Sequence, residues 1–305
     1  MTSELFKPNA YLTPSTEEEV SELLKRHGDK AKIIAGGTGI YEVAHRGLLS
    51  DVQVLIDISQ LGLEYVKLSS DGSGASLVIG SCATMSELLG SKELSSKQEL
   101  GALIDALRII HPTQVKNVAT IGGAICTALP FFDLPVALLC LNAGVVVSPS
   151  GDLRALSDFI QGYFSVNLGA GEFVREVVLR LSEGENTASS FKKFALTGDD
   201  WALVNSGACI ALDESGKKIH RATISIGGGV GEKPVLAKKT STSILGIEFS
   251  DEVKLKALID SEMEKDIEPV TDIRASAEYR LKIAKVFCRR AVLEACKRAS
   301  GERNN

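Results

Sequence analysis

Apolar positions fall at helical spacing after the polar start Ser15-Thr16-Glu17-Glu18-Glu19, where Val20, Leu23 and Leu24 share one face. A hydroxyl followed three residues later by an acid is a helix-start signal, and Gly28 supplies a stop. The pattern then shortens. Residues 32–35 read as a buried strand running into Gly36-Gly37-Thr38-Gly39, and 40–49 as helical. Further strands are expected at 52–58 and 77–79, separated by a turn at 69–74. A helix over 100–110 must stop before His111-Pro112, because proline disfavours helical torsions in the residue before it. An irregular, glycine-rich segment follows, containing 118–124 and Pro130-Phe131-Phe132-Asp133, and then the apolar stretch 134–141.

Residues 144–147 and the turn Pro149-Ser150-Gly151-Asp152 suggest a hairpin, and 176–181 continues as strand. The small polar stretch 182–187 is the best domain boundary. Beyond it, 191–196, 202–212 and 219–226 read as antiparallel strands. Helices are expected at 251–265 and 275–300, the second with Tyr279, Ile283, Val286 and Phe287 on one face, before an end at 302–305 that frays. No internal repeat or low-complexity tract occurs.

The chain has 305 residues, enough for two domains, with 44% hydrophobic and 24% charged residues, as in an ordinary folded protein. A net charge of −5 provides no positive field for a nucleic acid. The longest apolar run, 136–147, is broken by Asn142 and falls short of the ~20 residues that span a bilayer. The N-terminus carries no basic start followed by an apolar run, so no secretion signal is expected, and the reading is cytoplasmic. The cysteines at 82, 126, 140, 209, 288 and 296 form no C-x2-C pair and read as buried thiols. The four histidines are scattered, so no metal site and no hydrolytic nucleophile is expected.

Two Gly-Gly turns carry the chemistry: Ala35-Gly36-Gly37-Thr38-Gly39 and Thr120-Ile121-Gly122-Gly123-Ala124. Glycine removes the Cβ that holds a ligand away and permits positive φ, so successive amides can converge on phosphate oxygens. Thr38 and Thr120 add hydroxyls. One such turn reads as plain turn geometry; two, each beside threonine, favour a diphosphate gripped from both sides. The spacing is neither the G-x-G-x-x-G of a dinucleotide fold nor a Walker loop. The residues alone stop at a nucleotide-like diphosphate of unknown identity.

Those two motifs, with Pro130-Phe131-Phe132-Asp133, Ile79-Gly80-Ser81-Cys82-Ala83-Thr84 and the run from Asp272 to Arg280, resemble the FAD-binding medium subunit of molybdenum hydroxylases, the xanthine dehydrogenase and carbon monoxide dehydrogenase flavoprotein family. The resemblance implies an α+β fold. An FAD-binding domain of the vanillyl-alcohol-oxidase (PCMH) type would occupy 1–182, in subdomains 1–58 and 59–182. A smaller C-terminal domain of antiparallel sheet and helices would occupy 188–300. It also implies that Ala35, Gly36, Gly37, Thr38, Gly39 and Ile40 form one pyrophosphate loop and Thr120, Ile121, Gly122, Gly123 and Ala124 the other. Asp133 would face the FAD and Lys193 would lie near the flavin, with Phe191 where an aromatic ring or its neighbour approaches the isoalloxazine. Without the resemblance, Asp133 reads equally as a helix N-cap. Gly39 stands where many members have aspartate and Ala124 where they have asparagine. Near Leu196 and Thr197 the arginine carried by many members is missing.

The implied role is an electron-transfer subunit. Molybdopterin would sit on a large partner and [2Fe-2S] clusters on a small one, in a dimer of heterotrimers delivering electrons to NAD+ or another acceptor. The scattered cysteines agree, since this chain cannot hold the clusters itself. No side chain here need be catalytic, because the flavin carries the redox chemistry. The rivals are a stand-alone flavin reductase or oxidase and a flavin-free scaffold. Among weaker signals, Asp199-Asp200-Trp201 reads as a solvated turn ending in a packed indole and Lys238-Lys239 as an exposed pair. Arg280, Arg289 and Arg290 read as solvated or as facing acids on a partner.

Overall fold

The computed structural model describes residues 6–72, 74–182 and 186–302. The chain opens with β1 (Ala10–Leu12), α1 (Glu17–His27), β2 (Ala31–Ile34), α2 (Thr38–His45) and β3 (Val54–Asp57). These strands form a parallel sheet in the order β1-β3-β2. Thr16 caps α1, its hydroxyl accepting from the Glu19 amide at 3.2 Å. Val20 and Leu23 of α1 pack on Ile56 and Val54 beneath.

Next come β4 (Val66–Asp71) and β5 (Gly74–Gly80), then α3 (Met85–Gly90), α4 (Lys92–Ser95) and α5 (Gly101–Ile109). The turn expected over 69–74 is tighter than that, since pairing persists through Ser70 opposite Ala75 and Asp71 opposite Gly74. The stretch expected to be irregular holds two short helices, α6 (Thr113–Lys116) and α7 (Ile121–Thr127). Glycine does not prevent this, because Gly122 and Gly123 sit in the first turn of α7, capped by Thr120.

Helix α8 (Asp133–Cys140) is buried along its whole length. It is followed by β6 (Gly144–Ser148), β7 (Asp152–Ala155), α9 (Leu156–Phe159), the short β8 (Ile160–Gly162) and β9 (Ser165–Val166), and β10 (Phe173–Arg180). A five-stranded antiparallel sheet, β4-β5-β10-β6-β7, backs the core made by α5, α7 and α8. Of the expected boundary, 183–185 lie outside the described residues.

The rest is β11 (Asn186–Phe194), β12 (Val204–Leu212), β13 (Ile219–Gly228), β14 (Val235–Leu236), α10 (Lys238–Ser243), α11 (Glu252–Met263) and α12 (Ala277–Ala299). The strands pair antiparallel in sequence order, and the resulting sheet is covered on both faces. On one face the Ser189 hydroxyl accepts from the Ala102 amide at 2.7 Å, and the Ser225 hydroxyl donates to Val136 O at 2.7 Å. On the other, the Ser190 hydroxyl donates to Ala291 O in α12.

The face α12 turns inward is not the one that carries its larger apolar residues. Arg280, Ala284, Cys288, Ala291, Val292, Ala295 and Cys296 are buried, whereas Tyr279, Ile283, Val286 and Phe287 lie along a partly exposed flank. Small residues let the helix axis approach the sheet, and this outweighs the larger apolar stripe. Phe194 meets that flank, with ring centroids 5.5 Å from Phe287 and 6.2 Å from Tyr279. Arg280 is fully buried, so it faces neither solvent nor a partner subunit.

Near the end of the five-stranded sheet, Arg154 grips Glu172 with two hydrogen bonds, at 2.7 and 2.8 Å, and also donates to Asn167 O. Arg154 holds the Glu172 carboxyl below its ordinary value, helped by the Gly169 amide against the opposing effect of burial. A depressed carboxyl contributes stability that is complete above the unfolded value, about 4.3, and lost as pH falls through the folded one. Glu172→Gln is therefore expected to lower the urea midpoint at neutral pH by the equivalent of about 1 kcal/mol and to flatten the fall in stability below about pH 4. Urea titrations across that range provide the check.

Candidate functional site

Strand β2 delivers the chain to Gly36 and Gly37, and α2 begins at once. Gly37 is its N-cap with φ of 73°, a left-handed conformation that only glycine adopts cheaply. No side chain caps this helix, and the amides of Thr38, Gly39 and Ile40 have no partner among the described residues. Bare amides at a helix start attract an anion. Ala35 and Ile40 flank them, half-buried.

The second turn differs. The Thr120 hydroxyl accepts from the Gly123 amide at 3.1 Å, while Ile121 N donates to Ala83 O, Gly122 N to Ser81 O and Ala124 N to Thr120 O. The expectation that both turns offer free amides is corrected here: α7 and the 81–83 segment use those of the second turn. Ile121 is buried in the core. The glycines serve close packing, for a Cβ at Gly122 would meet Ser81 and one at Gly36 would collide with the Val118 carbonyl. At Gly39, a Cβ would run into the Thr127 hydroxyl, which donates to Gly123 O at 2.7 Å.

Two adjoining cavities meet at these turns. The first, about 310 Å³, is lined by Ala35, Gly36, Gly37, Thr38, Gly39, Ile40, Thr120, Gly122 and Gly123 and runs toward Phe164, Leu168 and Glu172. The second, about 380 Å³, is lined by Ala124, Asp133, Lys193, Phe131, Phe132 and Trp201 among others. Thr38, Gly39, Gly123 and Thr127 belong to both and form a waist between them. Each volume lies in the range of small-molecule and cofactor sites, ~300–1,000 Å³. The Ser81 hydroxyl, 2% exposed, lines the first cavity without a hydrogen-bond partner among the described residues.

Asp133 is the first residue of α8, after the N-cap Phe132, and so is not itself the cap. Its carboxylate is taken by Lys193 Nζ at 2.9 Å and Asn205 Nδ2 at 2.8 Å. Burial pushes the carboxyl up, opposed by the Lys193 ammonium and the Asn205 amide. A buried pair with its carboxylate bridged in this way presents one fixed, neutralised polar wall to the cavity. Phe191, on the same face of β11 as Lys193, is 1% exposed in the core and lines neither cavity, which corrects its expected place beside a flavin ring. The aromatic wall belongs to Phe131 and Trp201, stacked 6.1 Å apart with planes 6° from parallel, and to Phe132. Trp201 is thus more than a packed indole closing a turn. Asn205 and Trp201 were not separable from sheet and turn by local pattern; only the pairing of β11 with β12 brings Asn205 opposite Lys193.

Among the described residues, no group of three His, Cys, Asp or Glu could hold a metal, and no helix is long and apolar enough to cross a membrane.

The fold and its paired cavities define an FAD-binding domain of the PCMH type joined to a smaller antiparallel α+β domain. The family model described as the FAD binding domain in molybdopterin dehydrogenase matches residues 5–179, and that of the CO dehydrogenase flavoprotein C-terminal domain matches 189–295. The chain belongs to this family, the FAD-binding medium subunits of the molybdenum hydroxylases. It is 32% identical to the glyceraldehyde dehydrogenase medium chain of Sulfolobus acidocaldarius, over 91% of this chain and 95% of that one. The carbon monoxide dehydrogenase medium chain of Afipia carboxidovorans is 27% identical over 95% of this chain and 97% of its own. A solved structure of Cu,Mo-CO dehydrogenase matches with a TM-score of 0.84 and 25% identity, covering 96% of this chain and all of that one.

At the waist, Gly39→Asp is expected to lower the melting temperature by several degrees, because its Cβ displaces Thr127. Adding Thr127→Ala to that variant should recover most of the loss, as thermal unfolding followed by circular dichroism will show.

Proposed function

We propose that this chain is the electron-transfer subunit of a heteromeric molybdenum hydroxylase, standing between the iron–sulfur clusters of a small partner and an acceptor such as NAD+. A large partner would hold molybdopterin, and the whole would form a dimer of heterotrimers in the cytoplasm. The relatives named as medium chains support assembly with other subunits.

The observation that carries the reading is the bare first turn of α2, facing a waist between two cavities. Its unpaired amides are donors awaiting acceptors, and the diphosphate oxygens of FAD supply them. In this reading Thr38, Gly39 and Ile40 hold the diphosphate by their amides. Thr120, Gly122, Gly123 and Thr127 close the waist from the other side, mainly by shape and hydroxyls, while Ala35, Gly36 and Gly37 set the turn. Ala124, Asp133 and Lys193 line the second cavity, where the ion pair presents a fixed polar edge. When bound, FAD supplies the redox chemistry. The protein residues bind it, orient it and limit water. The domain division, 1–182 and 188–300, belongs to this proposal, and no catalytic side chain is assigned.

Gly37→Val places a branched residue in left-handed backbone and tilts the amides that follow. It is expected to reduce flavin retained on purification by about tenfold, whereas Gly123→Val, which crowds the Thr120 hydroxyl, should weaken it less. Flavin content at unchanged values in both variants would overturn the site. Purification from the native source, with flavin, iron and molybdenum measured on what co-elutes, tests the assembly; a chain that carries flavin with no stoichiometric iron or molybdenum contradicts it.

A further inference from the structure

The run from Asp272 to Arg280 carries much of the family likeness, yet none of it lines either cavity. Arg280, in the first turns of α12, is fully buried, an expensive position for a charge unless it does something a smaller residue cannot. Its Nη1 donates to Leu203 O at 2.8 Å, and its Nη2 lies 2.6 Å from Asp272 Oδ1. The space is built for it, since a Cβ at Gly229 would collide with the guanidinium.

Asp272 has a second task. Its Oδ1 also accepts from the amides of Arg274 at 2.8 Å and Ala275 at 3.0 Å, closing a tight turn, and the Thr271 hydroxyl accepts from Ala277 N. This turn fixes the direction in which Arg274 leaves the chain. The Arg274 guanidinium lies over Phe131, with Cζ 4.7 Å from the ring centroid, and its Nη1 reaches the Trp201 carbonyl at 3.5 Å. Phe131 is stacked on Trp201, and Arg46 of the segment after α2 covers Trp201 with its Cζ 5.2 Å from the ring centroid. Four planar groups, Arg274, Phe131, Trp201 and Arg46, thus form a chain of contacts whose two middle members, the rings, line the second cavity. Cation–π contact at each end favours keeping the two rings in register.

We propose that Asp272 and Arg280 are positioning residues for the second cavity: the buried Arg280 guanidinium, paired with the Asp272 carboxylate at the surface, holds the 271–275 turn so that Arg274 locks the Phe131–Trp201 wall in place. Arg280 acts through Asp272, Asp272 through Arg274, and Arg274 on the rings. The inference rests on the flavin reading only for what the wall is used for; the lock itself is a property of the chain.

Trp201 is the single tryptophan of the sequence, so its fluorescence reports the wall directly, in the full chain, before any flavin is added. Arg274→Ala removes the capping guanidinium from a partly exposed site. Arg280→Lys keeps the charge but cannot span Leu203 O and Asp272 together. Both are expected to raise acrylamide quenching of Trp201 about twofold and to broaden the near-ultraviolet circular dichroism, with far-ultraviolet spectra unchanged, since ring order rather than helix content is altered. Arg274→Lys should restore part of the wild-type quenching. Titration with FAD then separates the two readings. Altered Trp201 signals in chains that, like wild type, bind no FAD would leave the lock standing and sink the flavin site. Wild-type quenching in folded Arg274→Ala overturns the lock, whatever the flavin does. Should Arg280→Lys fail to fold, Arg274→Ala, which leaves Arg280 and its 2.6 Å contact with Asp272 in place, still decides the matter.

Discussion

Strand alternation along β11 sets most of what this molecule does with its second half. Successive side chains of a strand point to opposite faces. Ser189, Phe191 and Lys193 therefore turn toward α5 and α8, while Ser190 and Phe194 turn toward α12. A slip of one residue would exchange the two sets, sending the lysine into the small-residue seam under α12 and leaving Asp133 a buried carboxylate with one partner fewer. The register is thus guarded by charge as well as by apolar packing. The same register carries Asn205 of β12 to the other oxygen of Asp133. The C-terminal sheet is consequently part of the wall of a cavity whose other walls come from the first half of the chain.

Much of the fold was readable in the sequence because periodicity and punctuation agreed. The helix after Thr16, the strand entering Gly36 and the antiparallel strands beyond 186 lie close to where the pattern puts them. The exceptions have identifiable causes. Helix α7 hides behind two glycines, which count against a helix interior but are harmless in a first turn closed by a threonine cap. In α12 the larger apolar residues share a flank, whereas the seam is made mostly of alanine and cysteine, whose value lies in how near they let the backbone come.

The site was readable in part. Glycine pairs announce a backbone that must come close to something, and the structure separates two things that local sequence cannot. At the first pair the amides are bare; at the second they are occupied, and Gly122 is required there because Ser81 presses on it. Only the tertiary arrangement distinguishes a turn built to bind from a turn built to pack. For the same reason Phe191 was misplaced and Trp201 undervalued. Both are aromatic residues of the same region, and which one reaches the cavity depends on how deeply β11 is covered by α5, a contact between segments far apart in sequence.

The waist shared by the two cavities carries a consequence for size. It is bounded by Thr38, Gly39, Gly123 and Thr127, two glycines and two short hydroxyl residues, with the Thr127 hydroxyl already bonded to Gly123 O. An elongated occupant that reaches both chambers must pass these four residues. Bulk added at any one of them therefore acts on both chambers at once, and the two halves of such an occupant are held or lost together.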